Sequence, residues 1–232
     1  MKKGLWVVAV LIFALGSVNL ARADQFFQTT AGAVDTAGDP VAATANFSLS
    51  GTTLTLTLIN TQTGMKDVGQ ALTDIFFTLS SGTATLSSQA GQLINVAADG
   101  SITNIAGTPA WGFGAATVNS INGFEACVIC QGGPTSSATP SEGILGPVSG
   151  DGKYDNANSS IAANGPHNPF IDQNGLILKF TVGSGVTVDN VLFSFGTTPG
   201  DNVGVPEPAS LSLLGAGLLG LGIKLRRRSK RA

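Results

Sequence analysis

Thr53-Leu54-Thr55-Leu56-Thr57-Leu58-Ile59 decides how this chain folds. Leucine and threonine alternate, and a period of two sends successive side chains to opposite faces of an extended backbone. The stretch therefore predicts a strand with one buried leucine face and one solvated threonine face. Working outward, Ile75–Leu79 and Thr83–Ser87 read as a hairpin across Ser80–Gly82. Leu176–Val182 is a further strand and Val191–Phe195 the last, with Gly183-Ser184-Gly185 as a turn signal between Val182 and Val186. Gly, Thr, Ser, Ala, Asn and Val dominate, while the Lys, Glu and Arg that solubilise exposed helix faces are scarce. Short strands with glycine-rich turns predict an all-β domain. A two-sheet β-sandwich is the leading architecture, and a jelly-roll-like barrel is the close alternative.

The middle of the chain carries no such pattern. Between Gln131 and Pro169 lie Pro134, Pro140, Pro147, Pro166 and Pro169 among many Gly, Ser and Asn residues, with almost no aliphatic run. It reads as one long functional loop or as short loops around an edge strand.

The two ends read as addresses. Lys2 and Lys3, the apolar stretch Leu5–Val18 and the small-x-small run Ala21-Arg22-Ala23 make residues 1–23 a Sec-type signal peptide, with cleavage expected before Asp24. At the other end Pro206-Glu207-Pro208 precedes an apolar run, Ala209–Ile223, and then Arg226, Arg227, Arg228, Lys230 and Arg231. A helix is expected over 209–225 and a basic tail over 226–232. Fifteen helical residues reach only about 22 Å, short of a hydrocarbon core of about 30 Å. This favours a transient stop-transfer segment over a permanent anchor. The tail stays cytoplasmic by the positive-inside rule, which places residues 24–204 outside the inner membrane.

Removing both ends changes the charge. Lys66, Lys153 and Lys179 are the only basic residues between Asp24 and Val205, against thirteen carboxylates, a net charge of −10. Such a domain is not drawn to nucleic acid or anionic lipid.

The ordered motif, apolar segment and basic tail of Val205–Ala232 resemble the PEP-CTERM sorting signal of Gram-negative bacteria. The resemblance implies that an exosortase recognises Pro206, Glu207 and Pro208, that the basic residues act as a retention signal, and that the Sec translocon and, transiently, the inner membrane are export partners. Exosortase systems usually accompany exopolysaccharide genes. The resemblance therefore implies a non-enzymatic surface or matrix protein with exopolysaccharide as a partner, and it brings no activity for residues 24–204.

Candidate chemistry is sparse. Cys127-Val128-Ile129-Cys130 is the single cysteine pair, and Gln131-Gly132-Gly133-Pro134 after it cannot continue a helix that would lower a thiol pKa. In an oxidising compartment a local disulfide is expected. His167, the one histidine, sits between Pro166 and Pro169; it is expected as a turn residue, and a secreted hydrolase using it as base is the third reading. No residue is assigned as catalytic. Glu125 and Glu142 are the only glutamates before Val205, and most aspartates neighbour Gly, Asn or Pro, where Asp caps turns. Asp151, Asp155 and Asn156 gather hard oxygens in a flexible loop, so a calcium-assisted carbohydrate-binding module is the alternative. Trp111 is expected to pack in a strand, not to face a sugar.

Overall fold

The computed structural model describes residues 24–134, 141–162 and 167–204. Within them the strands are β1 (Gln25–Gln28), β2 (Ala43–Ser50), β3 (Thr53–Asn60), β4 (Leu72–Leu79), β5 (Thr85–Ala90), β6 (Leu93–Val96) and β7 (Ile102–Ile105). They continue as β8 (Gly112–Val118), β9 (Ile121–Cys127), β10 (Phe170–Ile171), β11 (Leu176–Thr181), β12 (Val188–Phe195) and β13 (Asn202–Gly204). The fold is all-β. The signal-peptide region and the 205–232 segment, with its expected helix over 209–225, lie outside the described residues.

All strand ladders are antiparallel. One five-stranded sheet has the order β1-β2-β3-β11-β5, a second has β13-β12-β4-β9-β8, and a three-stranded sheet has β10-β6-β7. Ile144 stitches the third sheet to the second. It exchanges backbone hydrogen bonds with Leu72 at 3.0 and 2.8 Å, and it forms a parallel bridge to Ile171 of β10. The molecule is thus two layers, the second extended by this stitch.

The alternation at Leu54, Leu56 and Leu58 survives intact: all three are buried, and Thr55 and Thr57 face outward. β2 and β11 repeat the pattern with Ala45 and Phe47 and with Leu178 and Phe180 inward. From the opposite layer Ile75, Phe77, Phe193 and Phe195 complete the main core. Tight turns follow the residues that tolerate them. Gly51, at φ 61, leads the two-residue β2–β3 turn, and Asn119 and Ser120, at φ 50 and 66, make the β8–β9 turn.

The hairpin expected across Ser80–Gly82 does not form. β4 pairs with β12 on one side and β9 on the other, while β5 pairs with β11 in the opposite sheet. The physical reason is that Ser80 is already engaged. Its N–H donates to the Thr187 carbonyl at 2.9 Å, and its Oγ accepts from the Thr187 N–H at 3.0 Å, so the next residues must cross between layers.

The middle segment is not simply a solvent loop. Leu145, Tyr154, Ala157 and Ile161 are buried in a second core with Met65, Val68, Ile94 and Phe170. Its apolar residues come in ones and short runs among Gly, Ser and Asn, so no periodicity announces them. Asn60, fully buried at the end of β3, donates to the carbonyls of Gln70 at 2.8 Å and Ile144 at 3.0 Å and ties this core to the first.

Phe77→Ala empties the centre of the main core and is expected to cost about 3–5 kcal/mol. Phe26→Ser, at a side chain 56% exposed, should change stability by less than about 0.5 kcal/mol. Urea unfolding of the two variants beside the parent measures both.

Candidate functional site: a buried carboxyl pair under a disulfide-closed cover

β4 and β9 run antiparallel with Asp74 opposite Cys127 and Phe76 opposite Glu125. These four side chains share the face of the sheet that points away from the main core. Such a face is ordinarily solvated, yet Asp74 and Glu125 are 1% and 0% exposed. Phe76 packs there with Ala116, Val118 and Leu192.

The cover comes from the chain just after β9. Val128 N–H donates to the Thr73 carbonyl at 2.9 Å, and the disulfide Cys127–Cys130, with Cα atoms 5.2 Å apart, reverses the backbone. Gln131–Pro134 then lies back over β8 and β9. Glycines make this approach possible. A Cβ at Gly132 would fall 2.7 Å from the Thr117 carbonyl oxygen, and one at Gly133 would fall 2.6 Å from Glu125 Oε2. Pro134 in turn rests on Gly112 and Gly114 of β8.

Glu125 holds this cover from below. Its Oε1 accepts from Gln131 N–H at 2.6 Å and its Oε2 from Gly132 N–H at 3.2 Å. Asp74 is neutralised instead. Burial first, then the hydrogen bond to Glu125 and the repulsion of its charge, push the Asp74 carboxyl well above the usual carboxylate range, against an opposing pull from the Ser194 side chain. Asp74 Oδ1 is left with no hydrogen-bond partner. One ligand atom each from Asp74, Glu125 and Cys127 lies within 4.8 Å of the others, the single such group of three among the described residues.

The other candidates are placed apart from this pair. Asp151 Oδ1 accepts from Lys153 N–H at 3.1 Å, Asp155 Oδ2 accepts from Ser149 Oγ at 2.7 Å, and Asn156 Nδ2 donates to the Lys66 carbonyl at 3.3 Å. Lys153 supplies a cation to the same turn and pairs with Asp99 at 2.8 Å; its ammonium and Ser101 hold Asp99 well below the usual carboxylate range. His167 Nδ1 donates to the Ser160 carbonyl at 3.2 Å. Glu142 lies far from the pair in the chain; its backbone carbonyl accepts from the indole N–H of Trp111, which is buried at the mouth of β8. Tyr154 is buried too, its hydroxyl donating to the Gly146 carbonyl at 2.9 Å. Neither ring offers a sugar platform. Asp35, Asp67, Asp99, Asp151 and Asp172 each accept bonds from nearby backbone N–H groups, as turn and cap residues do. Asp74 is the exception that sequence reading passed over, because the predicted strand begins at Ile75 and the observed one begins at Leu72.

A two-layer β domain followed by a C-terminal address defines the class: an exported protein sorted at its C-terminal end. The address itself is specific, because residues 204–228 match the family model of the PEP-CTERM protein-sorting motif. The chain thus carries a PEP-CTERM sorting signal, which supports export to the cell envelope or surface. Pro206, Glu207, Pro208 and the basic residues Arg226, Arg227 and Arg228 fall inside that match, outside the described residues. No curated protein and no solved structure matches the chain.

Because the folded state keeps a proton on Asp74 that the unfolded chain releases near its ordinary pKa of 3.8, the pair's stability is complete at acid pH and declines as pH rises toward the folded value. Asp74→Asn keeps a neutral donor for Glu125 and removes that decline. The variant should match the parent near pH 3 and exceed it at pH 8 in urea midpoint; a parent equally stable relative to the variant at both pH values would show that Asp74 is ordinary. Opening the disulfide by Cys127→Ser with Cys130→Ser should cost about 2 kcal/mol, the loop-closure value for so short a loop, read from the same titrations. Millimolar calcium is expected to leave the melting temperature unchanged, and a rise would install Asp151, Asp155 and Asn156 as ligands.

Proposed function

We propose that the exported domain is a non-enzymatic component of the cell surface or extracellular matrix that associates with exopolysaccharide. The observation that carries this reading is the outward face of the β2-β3-β11-β5 sheet. The register lines up Ser48, Thr55, Lys179 and Ser88 in one row across four strands, with Phe26, Asn46, Thr57 and Ile177 in the next. It is a broad hydroxyl- and amide-rich face with Lys179 on it, in a domain otherwise strongly acidic. Hydroxyl and amide groups on a regular sheet can exchange hydrogen bonds with a polyhydroxylated polymer without desolvating charge. Phe26, 56% exposed, adds one aromatic ring to this face, and repeated weak contacts along a polymer supply the retention.

Sorting by exosortase delivers the domain to the compartment where such polymers accumulate. Its export partners on this reading are the Sec translocon, the exosortase and, transiently, the inner membrane.

Protein recovered from the native envelope and medium should have an intact mass lacking residues 1–23 and the chain beyond the Pro206–Pro208 motif. Retention of the arginine tail would instead make the final form membrane-anchored. Co-sedimentation with the host's own exopolysaccharide should retain the parent and lose most of the Thr55→Glu, Thr57→Glu double variant, with polymer length unchanged. Equal sedimentation of both proteins would refute the face as the contact, and shortened polymer would make the protein an enzyme.

A further inference from the structure

The three-residue group on the outer face of β4 and β9 has a chemistry that its role as a structural latch does not use. Cys127 and Cys130 stand at the spacing at which two thiolates hold a tetrahedral metal from one short turn, and carboxylates serve as further ligands of the same ion. We propose that in its dithiol form the chain has a buried site for one thiophilic divalent cation such as zinc, built from Cys127, Cys130, Asp74 and Glu125, which the disulfide closes.

Three observations carry this independently of the exopolysaccharide reading. The ligand atoms of Asp74, Glu125 and Cys127 already lie within 4.8 Å of one another, and metal–ligand bonds of 2.0–2.3 Å place tetrahedral ligands roughly 3.5 Å apart, so about an ångström of closure suffices. Asp74, 1% exposed, ends in an oxygen with no partner, the one buried side-chain atom so left among the described residues. Glu125 accepts from Gln131 on one oxygen and Gly132 on the other and is also hydrogen-bonded to Asp74, the bond that a cation between the two carboxyls would replace. The cover that hides the pair would then exclude water from the ion.

The disulfide sets the condition. Sulfur ligates as thiolate, and in the disulfide Cys127 Sγ is bonded to Cys130 Sγ. A dithiol reductant converts that bond to two thiols and is itself oxidised to a disulfide. Binding of the cation then releases the thiol protons to solvent. The metal-bound and disulfide forms are thus mutually exclusive states of one site.

Cobalt(II) reports both ligand type and occupancy. The full chain, treated with dithiothreitol and desalted anaerobically, should take up one Co2+ per chain with thiolate-to-cobalt charge-transfer absorption, displaced by zinc. The oxidised chain should take up none. Asp74→Asn and Glu125→Gln should keep the absorption band and weaken cobalt binding by about tenfold or more each. Equal cobalt uptake by the reduced and oxidised chains overturns the proposal, as does unchanged affinity in both variants, which would leave a bare dithiol as the ligand. The comparison of reduced and oxidised parent needs no variant, and if one substitution prevents folding the other carries the same readout.

Discussion

Phe77 is where the two layers meet. Its ring lies 5.1 Å from Phe47 and 5.8 Å from Phe180 of the opposite sheet, and 6.4 and 6.1 Å from Phe113 and Phe124 of its own. Phe113 closes the circuit to Phe180 at 4.6 Å. Tilted and stacked contacts of this kind add to what area burial alone provides. They also set the spacing between sheets into which the leucines of β3 fit. The two faces of β4 then follow from one constraint: with Ile75 and Phe77 committed to this layer, Asp74 and Phe76 must point the other way and be covered by something else.

That second covering is where polar chemistry enters the interior. Asn60, Asp74 and Glu125 are each buried, and each joins segments that hydrophobic contact alone would leave unspecified. Asn60 fixes the second core against β3, through two carbonyls distant in sequence. Glu125 aligns the Gln131–Pro134 cover by accepting two consecutive backbone N–H groups. Buried polar groups left unpaired are costly, so these bonds select one arrangement of the irregular segments. The sheets would tolerate several.

How much was legible depended on whether the signal was local. The Thr/Leu alternation of Thr53–Ile59 predicted its strand, its buried face and its solvated face, because period-two burial is written in neighbouring residues. The all-β class followed from composition. Pairing was not legible in the same way. Ile75–Leu79 and Thr83–Ser87 have the look of a hairpin, and only the distant Thr187 diverts Ser80 from making one. The second core escaped for a related reason: Met65, Ile94, Leu145, Tyr154 and Phe170 come together from five separate stretches. Asp74 beside Glu125 required knowing that β4 neighbours β9. The glycines of the cover read only as residues that cannot continue a helix, whereas Gly133 is needed for close approach to a carboxylate.

The described domain begins in β1 and ends in β13, each an edge strand, and the two edges belong to opposite sheets. In mechanical terms these are handles on the two plates of a laminate. A pull between them is resisted first by the four residues of β1 and the three of β13, and only afterwards by the phenylalanine layer. A protein held at one end while its neighbours drag on the body would therefore yield at its attachments before its interior, and the fastening could be cut or strained without opening the plates.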